Sequence, residues 1–302
     1  MTSVPPPPFE HPGPPPLRPE LPEGAPPPPE PAAAAEPGLP RLGVPWWAPF
    51  VALVAALAGV LVADLVLGIG LAIAGEDIDP RSPPPGVTIT LTAVLFALLV
   101  SVAWGAVKLA SGRPRPAVFG LRLTTPLPAL GWTLLAYLGF LALSFTVLLI
   151  FGEPDDQALV QDIEEEEAVG LLVAYGALSC FAAPLAEELF FRGFMFRALA
   201  ERVHVLWAAL VTGAVFGLSH AAGSPATALL VLSGFGVALC LLLYRTGSLI
   251  PCIMLHAFNN SVAFGTTKEL PWWGFLLLIV GSVGTTFLVS LLVSRRLSPS
   301  PP

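Results

Sequence analysis

The segment "PLAEELFFRGF", residues 184–194, places Glu187, Glu188 and Arg192 inside a predominantly apolar chain. A charged residue at the centre of a membrane helix costs roughly 2.5–3.5 kcal/mol, whereas Leu or Phe returns only about 0.3–0.6 kcal/mol. The three side chains are therefore expected to face a polar interior or to lie near the membrane interface. Glu188 and Arg192 are four residues apart and can pair on one helix face, while Glu187 is rotated by about 100°. This spacing predicts one neutralised and one free carboxylate.

The composition identifies an integral membrane protein. The chain has 302 residues, of which 55% are hydrophobic and 12% are charged, whereas soluble domains carry about 25% charged residues. The net charge of −7 and the lack of a long basic stripe argue against a nucleic-acid partner. Cys180, Cys240 and Cys252 lie in apolar segments, with a spacing that fits neither a metal site nor a disulfide framework.

The apolar segments recur along most of the chain, and each is close to the roughly 20 residues that a membrane helix requires. They predict an all-α fold, a polytopic membrane helix bundle with about eight transmembrane helices. The predicted spans are residues 46–74, 86–108, 127–151, 168–184 (continuing into the charged segment), 205–221, 226–244, 248–264 and 272–294.

The N-terminal region differs in composition from the rest of the chain. Residues 1–44 contain 17 of the 35 prolines, which predicts a disordered, Pro-rich cytoplasmic tail whose partner is unknown. We divide the remainder into N-terminal transmembrane helices (45–164), a membrane domain that carries the polar motifs (165–265), and a C-terminal transmembrane helix with a short tail (266–302).

The distribution of Lys and Arg predicts the orientation. With eight spans, one side of the membrane carries twelve of these residues and the other side carries only Arg81 and Lys268. Because cytoplasmic loops are enriched in Lys and Arg, both termini are expected in the cytoplasm. The acidic run of residues 155–167 then faces outward as a solvated loop. The alanine- and proline-rich composition favours a GC-rich prokaryote, and hence a multi-pass protein of the cell inner (plasma) membrane.

Two further polar motifs interrupt apolar segments. "FGLSH" places Phe216 and His220 one helical turn apart, and "HAFNN" does the same for His256 and Asn260. A glutamate and a histidine can activate water, directly or through a metal, and a second histidine with an amide can stabilise an oxyanion. The set predicts hydrolysis of an amide or ester within the membrane. The chain has no HExxH zinc motif and no GxSxG nucleophile motif.

Small residues on the helix that carries His220 predict close helix packing. Gly213 and Gly217 are four residues apart, and small residues let membrane helices approach closely. We expect this approach to bring His220 near the helix that carries the glutamates.

The three motifs resemble those of a known family. "EELFFR", "FGLSH" and "HAFNN" are similar to the EExxxR, FxxxH and HxxxN motifs of the CPBP family (CAAX protease and bacteriocin-processing, or Abi, intramembrane proteases), which includes the type II CAAX prenyl endopeptidases. The resemblance covers about residues 165–265. It implies an intramembrane endopeptidase in which Glu187 and His220 activate water. The resemblance also implies that His256 and Asn260 form the oxyanion site or complete a metal site.

The resemblance also assigns supporting roles and leaves the cofactor open. Glu188 and Arg192 form the supporting pair, and Phe216 supports the site. No cofactor is required by the residues. In the alternative, a divalent metal such as zinc is bound by Glu187, His220 and His256; we favour the metal-independent mechanism.

The implied substrate is a membrane-associated peptide or lipidated protein, either of the CAAX type or bacteriocin-like, reached from the surrounding membrane lipid. A second interpretation is a non-catalytic membrane scaffold or a peptide-immunity protein of the same family. A transporter that uses the polar residues as a relay ranks third, because the two halves of the chain show no obvious repeat.

Overall fold

The computed structural model describes residues 40–76, 83–112, 114–152 and 158–296, and the regular structure within these ranges is entirely helical. The predicted all-α fold is confirmed. In chain order the helices are α1 (Ala48–Ile73), α2 (Pro85–Ser111), α3 (Pro126–Phe151), α4 (Ala158–Glu165), α5 (Val169–Ala200), α6 (Val205–Leu218), α7 (Ala226–Thr246), α8 (Leu249–Thr267) and α9 (Trp272–Arg296), with a short 3₁₀ turn at Pro116–Phe119.

Six of the described helices are long and apolar enough to cross a membrane: α1, α2, α3, α5, α7 and α9. The predicted spans 205–221 and 248–264 correspond to α6 and α8, which do not meet both conditions. α6 has 14 residues, about 21 Å of helix, against a hydrocarbon core about 30 Å thick. α8 has 19 residues but carries His256, Asn259 and Asn260, which lower its hydropathy.

The charged segment lies inside α5, which is a single helix of 32 residues. The predicted span 168–184 therefore does not end at the charged segment but continues through it. Two π-helical stretches, Leu178–Ala182 and Glu188–Phe196, interrupt the α-helical geometry of α5. Pro184 follows the first stretch. The wider turn relieves the clash that a proline ring makes with the preceding turn of an α-helix.

The second π-helical stretch is enclosed on all sides. Every residue from Glu188 to Phe196 is buried, including four phenylalanines. A helix that is buried around its whole circumference belongs to the centre of a bundle. α5 thus forms the core against which α2, α6 and α8 pack.

α6 makes its closest approach to α7. A Cβ atom at Gly217 would overlap Ser233 Oγ, and one at Gly213 would lie 2.7 Å from the Ser233 carbonyl oxygen. The prediction that these glycines bring α6 against the glutamate helix was therefore wrong about the partner. α6 reaches α5 through larger side chains, because the rings of Phe191 and Phe216 meet edge to face at 5.1 Å.

Part of the predicted acidic loop is helical. Residues 158–165 form α4, whose C-terminal end receives the Lys268 ammonium: Lys268 Nζ donates to the carbonyl oxygens of Glu164 and Glu166, at 3.1 and 3.0 Å. At the other end, the Ala158 N–H donates to the Gly223 carbonyl oxygen at 2.9 Å. α4 is therefore fixed to the loops that follow α6 and α8.

Several predicted features lie outside the described residues. They are residues 1–39 of the Pro-rich tail, residues 77–82 with Arg81, residue 113, the first part of the acidic run (153–157) and the C-terminal residues 297–302.

Residues 40–44 contact the membrane domain. Leu42 and Val44 are buried, and the Leu42 N–H donates to Glu201 Oε1 at 2.7 Å. Arg197 Nη2 donates to the Pro40 carbonyl oxygen.

Candidate active site

A buried ion pair and a histidine share one carboxylate oxygen. Arg192 Nη1 donates to Glu188 Oε1 at 2.7 Å, and both side chains are 0% exposed. His256 Nδ1 lies 2.7 Å from the same oxygen. The predicted pairing of Glu188 with Arg192 is confirmed. Because a carboxylate only accepts hydrogen bonds, the His256 Nδ1 atom carries the proton in this contact, and α5 fixes the orientation of the imidazole ring on α8.

The second ring nitrogen of His256 faces the other glutamate. His256 Nε2 lies 3.9 Å from Glu187 Oε2, and the Glu187 side chain is 13% exposed. This separation exceeds a direct hydrogen bond. Glu187 is therefore the carboxylate that the ion pair leaves free, as the spacing in the sequence predicted.

Phe216 lies at the centre of these residues. Its ring is 4.4 Å from the Arg192 guanidinium carbon and makes edge-to-face contacts with His256 and His220, at 6.0 and 5.0 Å between ring centroids. An aromatic face attracts a desolvated cation. Phe216 thus covers the buried Arg192 and joins the two histidines into one cluster.

His220 lies just after α6, in the turn that follows Leu218, and not within a helix as predicted. Its Nδ1 atom is 2.8 Å from the Phe216 carbonyl oxygen. Since a carbonyl oxygen accepts, Nδ1 is the protonated nitrogen in this contact. The Nε2 atom of His220 then remains for a substrate, a water molecule or another ligand.

Asn260 links α8 to the first π-helical stretch of α5. Its Nδ2 atom donates to the Ser179 carbonyl oxygen at 2.8 Å. In that stretch the Ala183 N–H bonds to Leu178, five residues earlier. In the same register Ser179 would pair with Pro184, which has no N–H. Asn260 therefore supplies the donor that the proline lacks.

We predict that Asn260→Ala lowers the free energy of unfolding by about 1–3 kcal/mol, because it leaves a helix carbonyl unpaired away from water. In a Pro184→Ala background the cost is expected to be smaller, since residue 184 then offers its own N–H to Ser179. Thermal unfolding of the four proteins in detergent measures this difference. Equal costs in both backgrounds would contradict the assigned partner.

Glu187, His220 and His256 are the residues that the metal alternative requires. Within residues 40–76, 83–112, 114–152 and 158–296, no three His, Cys, Asp or Glu side chains form a group that could hold a metal ion. Each histidine uses its Nδ1 atom within the protein, which leaves Nε2 available, as in many metal-binding histidines. The metal alternative therefore stays a prediction, and the mechanism proposed below has no step through a metal.

Two residues of the cluster were missed in the sequence. Ser179 contributes only its main-chain carbonyl. The signal in the sequence was Pro184, five residues later, which has no N–H to donate to that carbonyl. Phe235 on α7 meets His256 edge to face, with 5.5 Å between the ring centroids and 90° between the rings. A phenylalanine in an apolar helix carries no signal of such a contact.

The comparisons with known proteins agree with the motifs. Residues 169–262 match the family model described as type II CAAX prenyl endopeptidase Rce1-like. The chain is also 29% identical over 189 residues to the uncharacterized protein YyaK of Bacillus subtilis (strain 168). That match covers 58% of this chain and 60% of YyaK, so less than two thirds of the relative is spanned.

No solved structure matches the chain significantly. The matched residues 169–262 include α5, α6, α7 and most of α8, and so contain Glu187, His220, His256 and Asn260. The six apolar helices indicate a multi-pass membrane protein. The resemblance to the CPBP family that the three motifs predicted is therefore confirmed, at the level of the family, over residues 169–262.

Proposed function

We propose that this protein is an intramembrane endopeptidase that hydrolyses a peptide bond of a membrane-associated substrate with a water molecule activated at Glu187. The observation that carries the proposal is the row of contacts Arg192–Glu188–His256–Glu187. Its first three members are joined by 2.7 Å contacts, and its last member is the free carboxylate. A free carboxylate opposite an oriented histidine is an arrangement suited to general-base catalysis.

The gap between Glu187 and His256 suits a water molecule. With Nδ1 protonated, a neutral His256 presents the lone pair of Nε2 toward Glu187 Oε2, so two acceptors face each other. A water molecule can donate one hydrogen bond to each. The separation of 3.9 Å lies in the range where polar groups are joined through water rather than directly.

The chemical step follows from this position. Glu187 takes a proton as the water oxygen attacks the carbonyl carbon, and it returns the proton to the nitrogen as the C–N bond breaks. The second N–H of Asn260 and the imidazole of His220 are the proposed oxyanion donors. The family resemblance implied that His220 activates water and that His256 lies in the oxyanion site. The geometry favours the reverse assignment, because His256 is the histidine that faces Glu187.

The proposed substrate is a peptide that reaches the site from the membrane, either a lipidated protein terminus or a bacteriocin-like peptide. The description of the matching family model names CAAX prenyl endopeptidases, which supports including prenylated peptides in any test. The proposed setting is the inner membrane with both termini cytoplasmic, as the distribution of Lys and Arg favours.

The test is an assay of the purified protein in detergent on a library of prenylated and unmodified peptides, in ¹⁸O-labelled water, with and without a chelator. We expect cleavage at a defined bond with one ¹⁸O atom in the new carboxylate, and equal rates with chelator. A rate abolished by chelator and restored by zinc would replace the metal-free mechanism. Stable peptide binding without cleavage would favour the scaffold interpretation.

A further inference from the structure

A cavity of about 590 Å³ lies between α3 and α7, with the start of α6 at one end. Its volume is within the range of about 300–1,000 Å³ typical of ligand sites. Its walls are mainly apolar, and residues such as Leu135 and Leu206 are more than half exposed. Because α3 and α7 are each long and apolar enough to cross a membrane, we expect this partly open cavity to face lipid.

The middle of this groove is kept open by the absence of a side chain. Gly139 lines it, and a Cβ atom built on Gly139 would meet no atom within 4 Å. Phe140, the next residue, packs against Phe235 at 4.7 Å between ring centroids. This aromatic pair separates the groove from His256. None of the four residues with a proposed catalytic role lines the groove.

One end of the groove carries a cation on an aromatic surface. The guanidinium carbon of Arg245 lies 4.7 Å from the centroid of the Trp132 ring and 5.8 Å from that of Tyr244. Within the described ranges no carboxylate forms an ion pair with Arg245. His204 lines the same end. Trp and Tyr are typical of the membrane interface, where lipid headgroups lie.

We propose that this groove is a binding site for an anionic glycerophospholipid, with an acyl chain between α3 and α7 and the phosphate at Arg245. The charge selects the lipid class, since an arginine without a carboxylate partner complements a phosphate that carries a net negative charge. The apolar walls hold the chain, and the opening at Gly139 provides the space for it.

The test is native mass spectrometry of the purified protein titrated with phosphatidylglycerol or phosphatidylcholine of identical acyl chains. We expect wild type to bind phosphatidylglycerol about fivefold more tightly, the effect of one cation near a lipid surface. Arg245→Gln is expected to abolish this preference. Arg295→Gln, which changes an exposed arginine on α9 away from the groove, is the matched control and keeps the preference.

A second variant tests the apolar part of the groove independently. Gly139→Leu fills the open space and is expected to weaken binding of both lipids roughly tenfold, the equivalent of about two lost CH₂ contacts. Gly131→Leu is its control, because Gly131 lies on the same helix, a Cβ atom there would also meet no atom within 4 Å, and the residue does not line the groove. Circular dichroism and size-exclusion chromatography verify that all four variants fold.

Three results would overturn the proposal. The first is that wild type binds the two lipids equally. The second is that Arg245→Gln and Gly139→Leu bind both lipids as their control variants do. The third is that a farnesylated peptide displaces phosphatidylglycerol and that Gly139→Leu weakens binding of this peptide, which would make the groove a substrate site. Peptide hydrolysis is measured separately, so failure of the lipid proposal leaves the proposed endopeptidase activity untouched.

Discussion

Glu187→Gln is expected to abolish peptide hydrolysis while the protein folds in near wild-type amounts. The substitution keeps the shape of the side chain but removes the group that accepts the proton from water. General-base catalysis contributes about 10²–10⁴-fold, so hydrolysis is expected to fall by at least that factor. Because Glu187 is partly exposed and forms no direct hydrogen bond with His256 at 3.9 Å, its neutralisation leaves the buried ion pair intact.

The measurement is the initial rate on the best peptide from the library, together with the melting temperature of the purified protein in detergent. Glu201→Gln is a suitable control, because it makes the same chemical change just after the C-terminal end of α5, where the Glu201 side chain accepts a hydrogen bond from the Leu42 main chain. Retained hydrolysis by Glu187→Gln would move the base elsewhere. Lost folding with retained specific activity would mean that the polar cluster only holds the helices together.

Arg192→Met is expected to lower the free energy of unfolding by about 3–5 kcal/mol, the usual cost of removing one partner of a buried ion pair. Glu188 would be left charged at 0% exposure with only His256 as a donor. The variant also loses the contact between the guanidinium and the ring of Phe216, 4.4 Å away. The expected readout is a lower yield of monodisperse protein and a lower melting temperature.

A double variant separates the lost charge from the lost packing. In Arg192→Met with Glu188→Gln neither ion remains, and the glutamine oxygen still accepts from His256 Nδ1. We expect the double variant to be more stable than Arg192→Met alone, as the coupling of a contacting pair requires. Arg245→Met, at an exposed arginine, is the matched control and should change stability little. A double variant that is less stable than Arg192→Met would contradict the assigned pairing.

Local spacing was sufficient to predict much of the membrane domain. The pairing of Glu188 with Arg192 depends only on a separation of four residues, which any helix through this segment converts into contact. The all-α fold and its long apolar helices follow from hydropathy, because a lipid-exposed main chain must satisfy its hydrogen bonds within one segment. These predictions required no information about how the helices pack.

Contacts between distant residues were decided by the tertiary structure. Glu188 and His256 are 68 residues apart, and Asn260 and Ser179 are 81 apart; no spacing in the sequence indicates which helix faces which. The family resemblance paired His220 with Glu187, whereas the packing of α8 on α5 places His256 Nε2 3.9 Å from Glu187 Oε2. The sequence by itself determined that Glu188 and Arg192 pair and that the chain forms long apolar helices. Helix packing determined which of them meet, because side chains on different helices become neighbours only when their faces are brought together.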